Sequence, residues 1–243
     1  MISNISILVS ECVGTTAMIF IGLMVTIVCA LRGMNQLVAS AGWACAVFAG
    51  ASLADHSGAH LNPAVTVAQV LTGKIMWEQV PFYLIGQLSG ACFGAILAAE
   101  VFYMDLHANR ELENLVSWFA TSPRVTYLHA LIIECLATSI LVSWILSSPR
   151  ASETEGVFNF GNSGLGYLGV ALIVFVLSLA VGEQTGAALN PARDLGPRIV
   201  YTLLYRTRGY PSANWRYAWV PVLGPLLGAG VGVLFSSLLQ EFR

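Results

Sequence analysis

The chain has 243 residues, of which 56% are hydrophobic and 10% charged, and its mean hydropathy is +0.73. These values exclude an ordinary soluble domain, in which about a quarter of the residues are charged. A net charge of -2 provides no basic surface for nucleic acid, so a nucleic-acid partner is excluded as well. The composition indicates a protein embedded in a lipid bilayer, and the length allows about six spanning helices.

Apolar runs long enough to cross a bilayer recur along the chain, and each predicts a transmembrane helix of roughly 20 residues. Two shorter apolar stretches, at about 63–73 and 191–204, cannot cross and are predicted to be half-helices. The polar segments 104–125 and 148–164 are predicted to be water-exposed connections. The six long runs cover about 6–31, 36–54, 80–103, 126–147, 165–182 and 217–239.

Both half-helices begin at the same Asn-Pro-Ala triplet, which follows Gly-rich chain in each case. Asn is a favoured N-cap, and Pro at the first helical position loses nothing because an N–H there has no helical partner. A single triplet carries little information, but two triplets that open two short apolar helices predict a pair of related helix starts. The two copies are Asn62, Pro63, Ala64 and Asn190, Pro191, Ala192.

The triplets are part of an internal repeat that extends over the whole chain. Glu11 in the first apolar run matches Glu134 in the fourth, and glycines spaced by four residues occur in both the third and the sixth runs. Each half holds three spans, so the second copy enters from the opposite side of the membrane and the repeat is inverted. We therefore expect one transmembrane domain over 1–243, with repeat one at about 1–104, a linker at about 105–125 and repeat two at about 126–243.

The half-helix starts predict a pore that is selective against charge. Each start exposes unpaired N–H groups and roughly half a positive charge, and two of them meeting at the bilayer midplane oppose protons and other cations. A neutral solute loses less water, and the side-chain amides of Asn62 and Asn190 are expected to be free to donate to it. Arg193, one turn into the second half-helix, adds a positive charge at membrane depth.

The stretches 57–66 and 186–198 resemble the aquaporin and aquaglyceroporin family, the major intrinsic proteins. The resemblance implies an aquaporin-like all-α membrane protein with six transmembrane helices and two re-entrant half-helices in an inverted repeat. It implies a homotetramer in a lipid bilayer, expected in a cell membrane and specifically the bacterial inner membrane, with no cofactor and no metal. It assigns His60 to the pore wall, and it assigns Glu11 and Glu134 to holding the interrupted loops in place.

Four residues resemble the glycerol-conducting branch of that family. An acid directly follows the pore arginine, a basic residue comes four positions later, and the last helix has a proline followed by an aliphatic residue. The resemblance implies passive flux of water, glycerol and similar small uncharged solutes. The four residues are Asp194, Arg198, Pro221 and Val222.

The family's narrowest point is formed by Arg193 and three positions that ungapped counting from the two Asn residues places at Gly42, Ser178 and Ala187. Typical glycerol facilitators carry aromatic rings where this chain has Gly42 and Ala187. Trp43 is one residue away, and because one residue turns a helix by about 100° it is expected to face away from the pore. The expected constriction is wide and polar, and it would admit urea and also metalloid hydroxides such as arsenous or silicic acid.

Three other functions remain open from the sequence. An ion-coupled secondary transporter of a small neutral solute also uses inverted repeats and broken helices, and it would need Glu11 and Glu134 as coupling acids. For an intramembrane enzyme, the sequence offers no recognisable catalytic motif. The pair His56 and His60 provides too few ligands for a zinc site. A membrane junction protein with a vestigial pore would conduct nothing.

Overall fold

The computed structural model describes residues 2–147, 166–205 and 209–241. These ranges fold into helices and contain no strand, and six of the helices are long and apolar enough to cross a membrane. The predicted all-α membrane fold with two additional half-helices is therefore confirmed. The helices are α1 Asn4–Arg32, α2 Gln36–Leu53, α3 Pro63–Leu71, α4 Val80–Val101, α5 Tyr103–Ala108, α6 Tyr127–Ser147, α7 Leu168–Thr185, α8 Pro191–Tyr205 and α9 Val220–Glu241.

Local capping accounts for the tight turn between the first two spans. Gly33 ends α1 in the left-handed region at a φ of 63°, which favours glycine because it has no Cβ. Two residues later, the side chain of Asn35 accepts a hydrogen bond from the backbone N–H of Val38 and caps α2. The chain therefore reverses direction within a few residues, and α2 packs antiparallel against α1.

Small residues allow two pairs of spans to pack at very short distance. A Cβ atom at Gly90 of α4 would lie 2.4 Å from the Cys12 carbonyl oxygen of α1. In the second half, a Cβ atom at Gly228 of α9 would lie 2.4 Å from the Cys135 carbonyl oxygen of α6. Only glycine permits these approaches. Close packing of this kind stabilises helix pairs in a membrane, where lipid provides no hydrophobic driving force for their association. The matching pairs α1 with α4 and α6 with α9 form two frameworks, and each half-helix packs mainly on the framework of the other repeat, α3 on α9 and α8 on α4.

The connection between the two halves differs from the prediction. Segment 104–125 was expected to be exposed to water, yet it contains α5 and a short 3-10 turn at Leu115–Trp118, and Phe119 is fully buried. Thr121 is buried as well, because it hydrogen-bonds to the second half-helix. The prediction is therefore wrong for the second half of this segment, where hydrophobic side chains fold back into the core. Segment 148–164 lies outside the described residues.

Candidate pore and its constriction

A cavity of about 1530 Å³ lies between the spans and borders the starts of both half-helices. Its wall includes Asn62 and Asn190, and it also includes Arg193, which lies one turn into α8. The rest of the wall is mostly apolar side chains with backbone of the two loops that lead to the half-helices. One lumen therefore passes all three positions that the sequence predicts to contact the solute.

The two asparagines connect the repeats to one another. The Asn62 Oδ1 atom accepts from the backbone N–H of Ala64 at 2.8 Å, and the Asn190 Oδ1 atom accepts from that of Ala192 at 3.0 Å. The Asn62 Nδ2 atom donates to the Leu189 carbonyl at 2.8 Å. Its counterpart Nδ2 of Asn190 donates at 2.7 Å to the carbonyl of Leu61 in the other loop.

These bonds correct one expectation from the sequence. The side-chain amides of Asn62 and Asn190 were expected to be free for a solute, but one hydrogen of each amide is committed to the opposite loop. An amide nitrogen carries two hydrogens, so one donor per asparagine remains. The cross-bonds fix the two helix starts against each other in the wall of the cavity.

Both loops before the half-helices adopt the same strained backbone. Ala59 and Leu61 have φ values of 51°, and the matching Ala187 and Leu189 have values of 48° and 54°. Left-handed conformations at such residues cost about 1–3 kcal/mol each and persist only where the surroundings impose them. The recurrence of this pattern in both repeats indicates that each loop is held by a specific set of partners.

Glu11 holds the first loop from α1. Its carboxylate is completely buried and accepts from the backbone N–H groups of His60 at 2.9 Å and Leu61 at 2.7 Å. The Ser57 hydroxyl donates to it at 2.6 Å, and the Gln87 amide donates at 2.8 Å. The carboxylate therefore accepts from backbone N–H groups of the loop that have no helical carbonyl partner.

Glu134 holds the second loop in the same way from α6. It is completely buried and accepts from the backbone N–H groups of Ala188 at 2.9 Å and Leu189 at 2.8 Å. The Thr185 hydroxyl donates to it at 2.6 Å. These contacts support the role that the family resemblance implies for the two acids, because both carboxylates are occupied by the loops.

His60 lies in the wall of the cavity at the first loop, as the resemblance implies. Its ring stacks on Tyr83 with centroids 4.2 Å apart, and its Nδ1 atom lies 3.1 Å from the Thr66 hydroxyl. The Tyr83 hydroxyl in turn donates to the Ser57 carbonyl at 2.6 Å. The stacking and the contact with Thr66 therefore fix the orientation of the ring.

The constriction contains Trp43 where counting from the asparagines placed Gly42. A Cβ atom at Gly42 would lie 2.3 Å from the Val25 side chain, so this position faces α1 and not the lumen. Trp43 borders the cavity, and the Arg193 guanidinium carbon lies 4.1 Å from the centroid of its ring. The predictions that Gly42 lines the pore and that Trp43 faces away from it are both wrong, because ungapped counting ran through the turn between α2 and Asn62. A shift of one residue rotates the assigned face by about 100°.

The other three predicted constriction residues all border the cavity. Arg193 is mostly buried, and its Nη1 atom donates to the Phe119 carbonyl at 3.1 Å. Ser178 of α7 accepts at its hydroxyl from Ser40 of α2 at 3.2 Å. Ala187 contributes only a methyl group beside them. These positions therefore bring an indole ring, a guanidinium group, a hydroxyl group and a methyl group to the wall of the cavity.

Asp194 and Arg198 hold the linker against the pore arginine. They form a fully buried ion pair at 2.7 Å, and the Asp194 carboxylate also accepts from the backbone N–H of Thr121 at 2.7 Å. The Arg198 guanidinium donates to the Thr121 carbonyl at 2.8 Å. Because Phe119 is two residues away and accepts from Arg193, this ion pair indirectly positions the pore arginine. Sequence reasoning missed the two linker residues, since neither belongs to a motif.

The remaining branch residues lie away from the lumen. Pro221 and Val222 form the first turn of α9 and are not part of the cavity wall. Proline is well tolerated at such a helix start because its missing N–H would have no partner there. These two residues therefore shape the start of α9 and do not contact the cavity.

One mouth of the cavity is bordered by a hydrogen bond between two parts of the chain. The Tyr167 hydroxyl, just before α7, donates to the Asp55 carboxylate at 2.7 Å. Burial raises the pKa of Tyr167, and the bond to Asp55 adds to that effect. The phenol therefore stays protonated near neutral pH and links the start of α7 to the turn after α2.

Comparison with known proteins agrees with this geometry. The sequence model of the family described as "Major intrinsic protein" matches residues 1–236. The chain belongs to the major intrinsic protein family. It is a multi-pass protein of a cell membrane and, at the level of the family, a channel-type transport protein and not an enzyme.

Individual major intrinsic proteins are similar over most of the chain. The glycerol uptake facilitator protein of Bacillus subtilis is 35% identical over 239 residues, which cover 93% of this chain and 82% of that protein. The glycerol uptake facilitator protein of Streptococcus pneumoniae strain R6 is 38% identical over 208 residues, with 83% of each chain covered. The X-ray structure of the aquaglyceroporin from Plasmodium falciparum aligns with a TM-score of 0.84 at 27% identity, covering 99% of this chain and 100% of that one.

Proposed function

We propose that the protein is a passive channel for glycerol and other small uncharged solutes, including water. The observation that carries this proposal is the single cavity that borders both half-helix starts and the Trp43 and Arg193 pair. The similarity to bacterial glycerol uptake facilitators supports glycerol as a solute.

The constriction suits a molecule with one polar and one apolar side. Arg193 and Ser178 offer hydrogen-bonding groups, while the ring of Trp43, which the Arg193 guanidinium contacts, offers an apolar surface beside them. Glycerol presents hydroxyl groups along one side and C–H groups along the other, so it replaces water on both walls. The small Ala187 leaves room that a second ring would occupy, and on that basis urea, arsenous acid and silicic acid also pass.

Charged species are excluded at the centre of the lumen. The starts of α3 and α8 each carry roughly half a positive charge, and the asparagine bonds hold them together at the same depth. Arg193 adds a full charge one turn away. A cation would lose hydration and meet like charge at both places, whereas a neutral solute meets only donors.

The contacts of the buried acids argue against an ion-coupled transporter. Such a protein needs an acid that alternately binds and releases its coupling ion. Glu11 and Glu134 are fully buried, and each is bonded to the backbone of a loop that must stay in place. The protein acts in a lipid bilayer, and we propose a homotetramer with one pore per subunit, as the family resemblance implies.

Solute-dependent swelling of proteoliposomes tests the function. Wild-type protein should accelerate the entry of glycerol, urea and water without saturation and without an ion gradient. Ala187→Phe should slow urea and arsenous acid more than water, because a ring fills the open side of the constriction. The control is Ala41→Phe, which places the same ring on an exposed position of α2 outside the cavity wall.

Three results would contradict the proposal. Water entry without glycerol or urea entry would show a strict water channel. Saturable, ion-dependent glycerol uptake would indicate a coupled transporter, and no flux of any solute would favour the junction protein.

A further inference from the structure

The aromatic wall of the constriction is held in place by α1, which otherwise takes no part in it. The Trp43 Nε1 atom donates to the Thr26 hydroxyl at 2.9 Å. The Thr26 hydroxyl donates to the Gly22 carbonyl, also at 2.9 Å. The donors and acceptors therefore form one directed chain that starts at the indole and ends on the α1 backbone.

Gly22 also provides the space in which the ring lies. A Cβ atom at this position would be 2.5 Å from the Cζ3 atom of Trp43 and 2.6 Å from Cε3 and Cη2. Real contacts of this kind do not occur, so any larger residue would displace the six-membered part of the indole. The ring is thus limited by Gly22 and Thr26 of α1 and by Arg193, whose guanidinium carbon lies 4.1 Å from the ring centroid.

This arrangement determines which chemistry Trp43 presents to a solute. An indole has a single hydrogen-bond donor, and here that donor is consumed by Thr26. The side of the ring that borders the cavity therefore offers carbon atoms and no N–H group. If the indole were released, it could turn its N–H toward the lumen and would cease to be a purely apolar wall.

We propose that Thr26 and Gly22 are positioning residues for solute selectivity, and that they act by holding Trp43 as an apolar surface in contact with Arg193. The proposal rests on the proposed function, because it concerns how the same constriction distinguishes glycerol from water. Neither residue belongs to the Asn-Pro-Ala loops, and neither borders the cavity.

The first test is Thr26→Val, which keeps the shape of the side chain and removes the acceptor. In proteoliposomes, the ratio of glycerol to water permeability should fall about fivefold, the equilibrium factor of one typical hydrogen bond. Thr26→Ser keeps a hydroxyl and should restore the ratio. The matched control is Thr16→Val, which removes the same kind of hydroxyl bond to the i-4 carbonyl on α1 and should leave the ratio unchanged.

The second test separates this role from a general effect on packing. In a Trp43→Phe background the indole donor is absent, so adding Thr26→Val should cause no further change in the ratio. Gly22→Ala should independently lower glycerol more than water, because the new methyl group pushes the ring into the lumen. Gly22→Ala is informative even where Thr26→Val alone does not reach the membrane.

The proposal is overturned by an unchanged glycerol-to-water ratio in Thr26→Val or Gly22→Ala protein that is present at the wild-type level. It is overturned equally by a Thr26→Val effect of the same size with and without Trp43. Failure of the proposed function would look different, because the wild-type protein itself would then conduct no glycerol.

Discussion

The two half-helices begin alike and differ one turn later. Asn62 and Asn190 cap their helices in the same way, and each donates to the opposite loop. Three residues after each asparagine, the first half-helix has Val65 and the second has Arg193, and both border the cavity. In the proposed function the symmetric part provides the barrier to charge, whereas the difference places a cation in the cavity wall on one side only.

The next position differs as well. Thr66 in the first half-helix contacts His60 and receives the Gln87 amide at 3.0 Å, so its partners are neutral. Asp194 in the second is fully buried and paired with Arg198. The second repeat has therefore acquired a charged support for the linker that holds the pore arginine, and the first repeat has none at the matching place.

The largest effect is expected from removing that support. Asp194→Ala leaves the fully buried Arg198 without its partner, and an uncompensated buried charge costs about 3–5 kcal/mol. Thr66→Ala, at the matching position of the first repeat, should cost about 1 kcal/mol because only neutral hydrogen bonds are lost. Thermal unfolding of the purified variants in detergent measures both, and equal losses would contradict the assigned difference between the repeats.

A second comparison concerns the two buried acids. Glu11 receives the Gln87 amide, and the Oε1 atom of Gln87 is buried without a hydrogen-bond partner among the described residues. In Glu11→Gln, Gln87 can rotate its amide and accept from the new NH₂ group. Alignment of the glycines places Pro225 at the matching position of the second repeat, where no such side-chain amide exists.

Glu134→Gln should therefore destabilise the protein more than Glu11→Gln, by about 1 kcal/mol, the value of one net hydrogen bond. The same thermal unfolding experiment provides the measurement. Gln87→Leu combined with Glu11→Gln is the control, since it should remove the advantage of the first repeat. An equal or larger loss for Glu11→Gln alone would contradict this interpretation.

The size selectivity of the channel should depend on the difference between Val65 and Arg193. Arg193→Val gives the second half-helix the residue of the first, and it should raise the permeability of a four-carbon polyol relative to glycerol roughly tenfold, or about 1.4 kcal/mol of barrier. Proteoliposome swelling gives this ratio. The matched variant Val65→Ala should change it less than about twofold, and a larger effect at Val65 would reverse the assignment.

These examples also explain which features could be predicted from the sequence. Both helix starts were predictable because Asn and Pro act through local backbone chemistry, which needs no knowledge of distant contacts. Trp43 was not, since its role depends on the length of a turn and on a glycine and a threonine in another helix. Thr121 was also missed, because its partner Asp194 is distant in sequence and becomes its neighbour only after the linker folds back.

The smallest effect is expected at the mouth of the cavity. Tyr167→Phe removes the hydrogen bond to Asp55, which is partly exposed, so stability should fall by less than about 1 kcal/mol. The raised pKa of Tyr167 keeps the phenol protonated, so this donor should not be lost as pH is varied around neutrality. Glycerol and water permeability should match in the two proteins, and a changed glycerol-to-water ratio would show that the mouth contributes to selectivity.

The central claim is that the two joined helix starts admit neutral solutes and exclude charge. Its most direct test measures glycerol entry and proton flux in the same proteoliposomes, with a pH-sensitive dye in the lumen and an imposed pH gradient. The account predicts rapid glycerol equilibration together with a proton leak no greater than that of protein-free liposomes. A proton flux that increases in proportion to the amount of intact protein would contradict it.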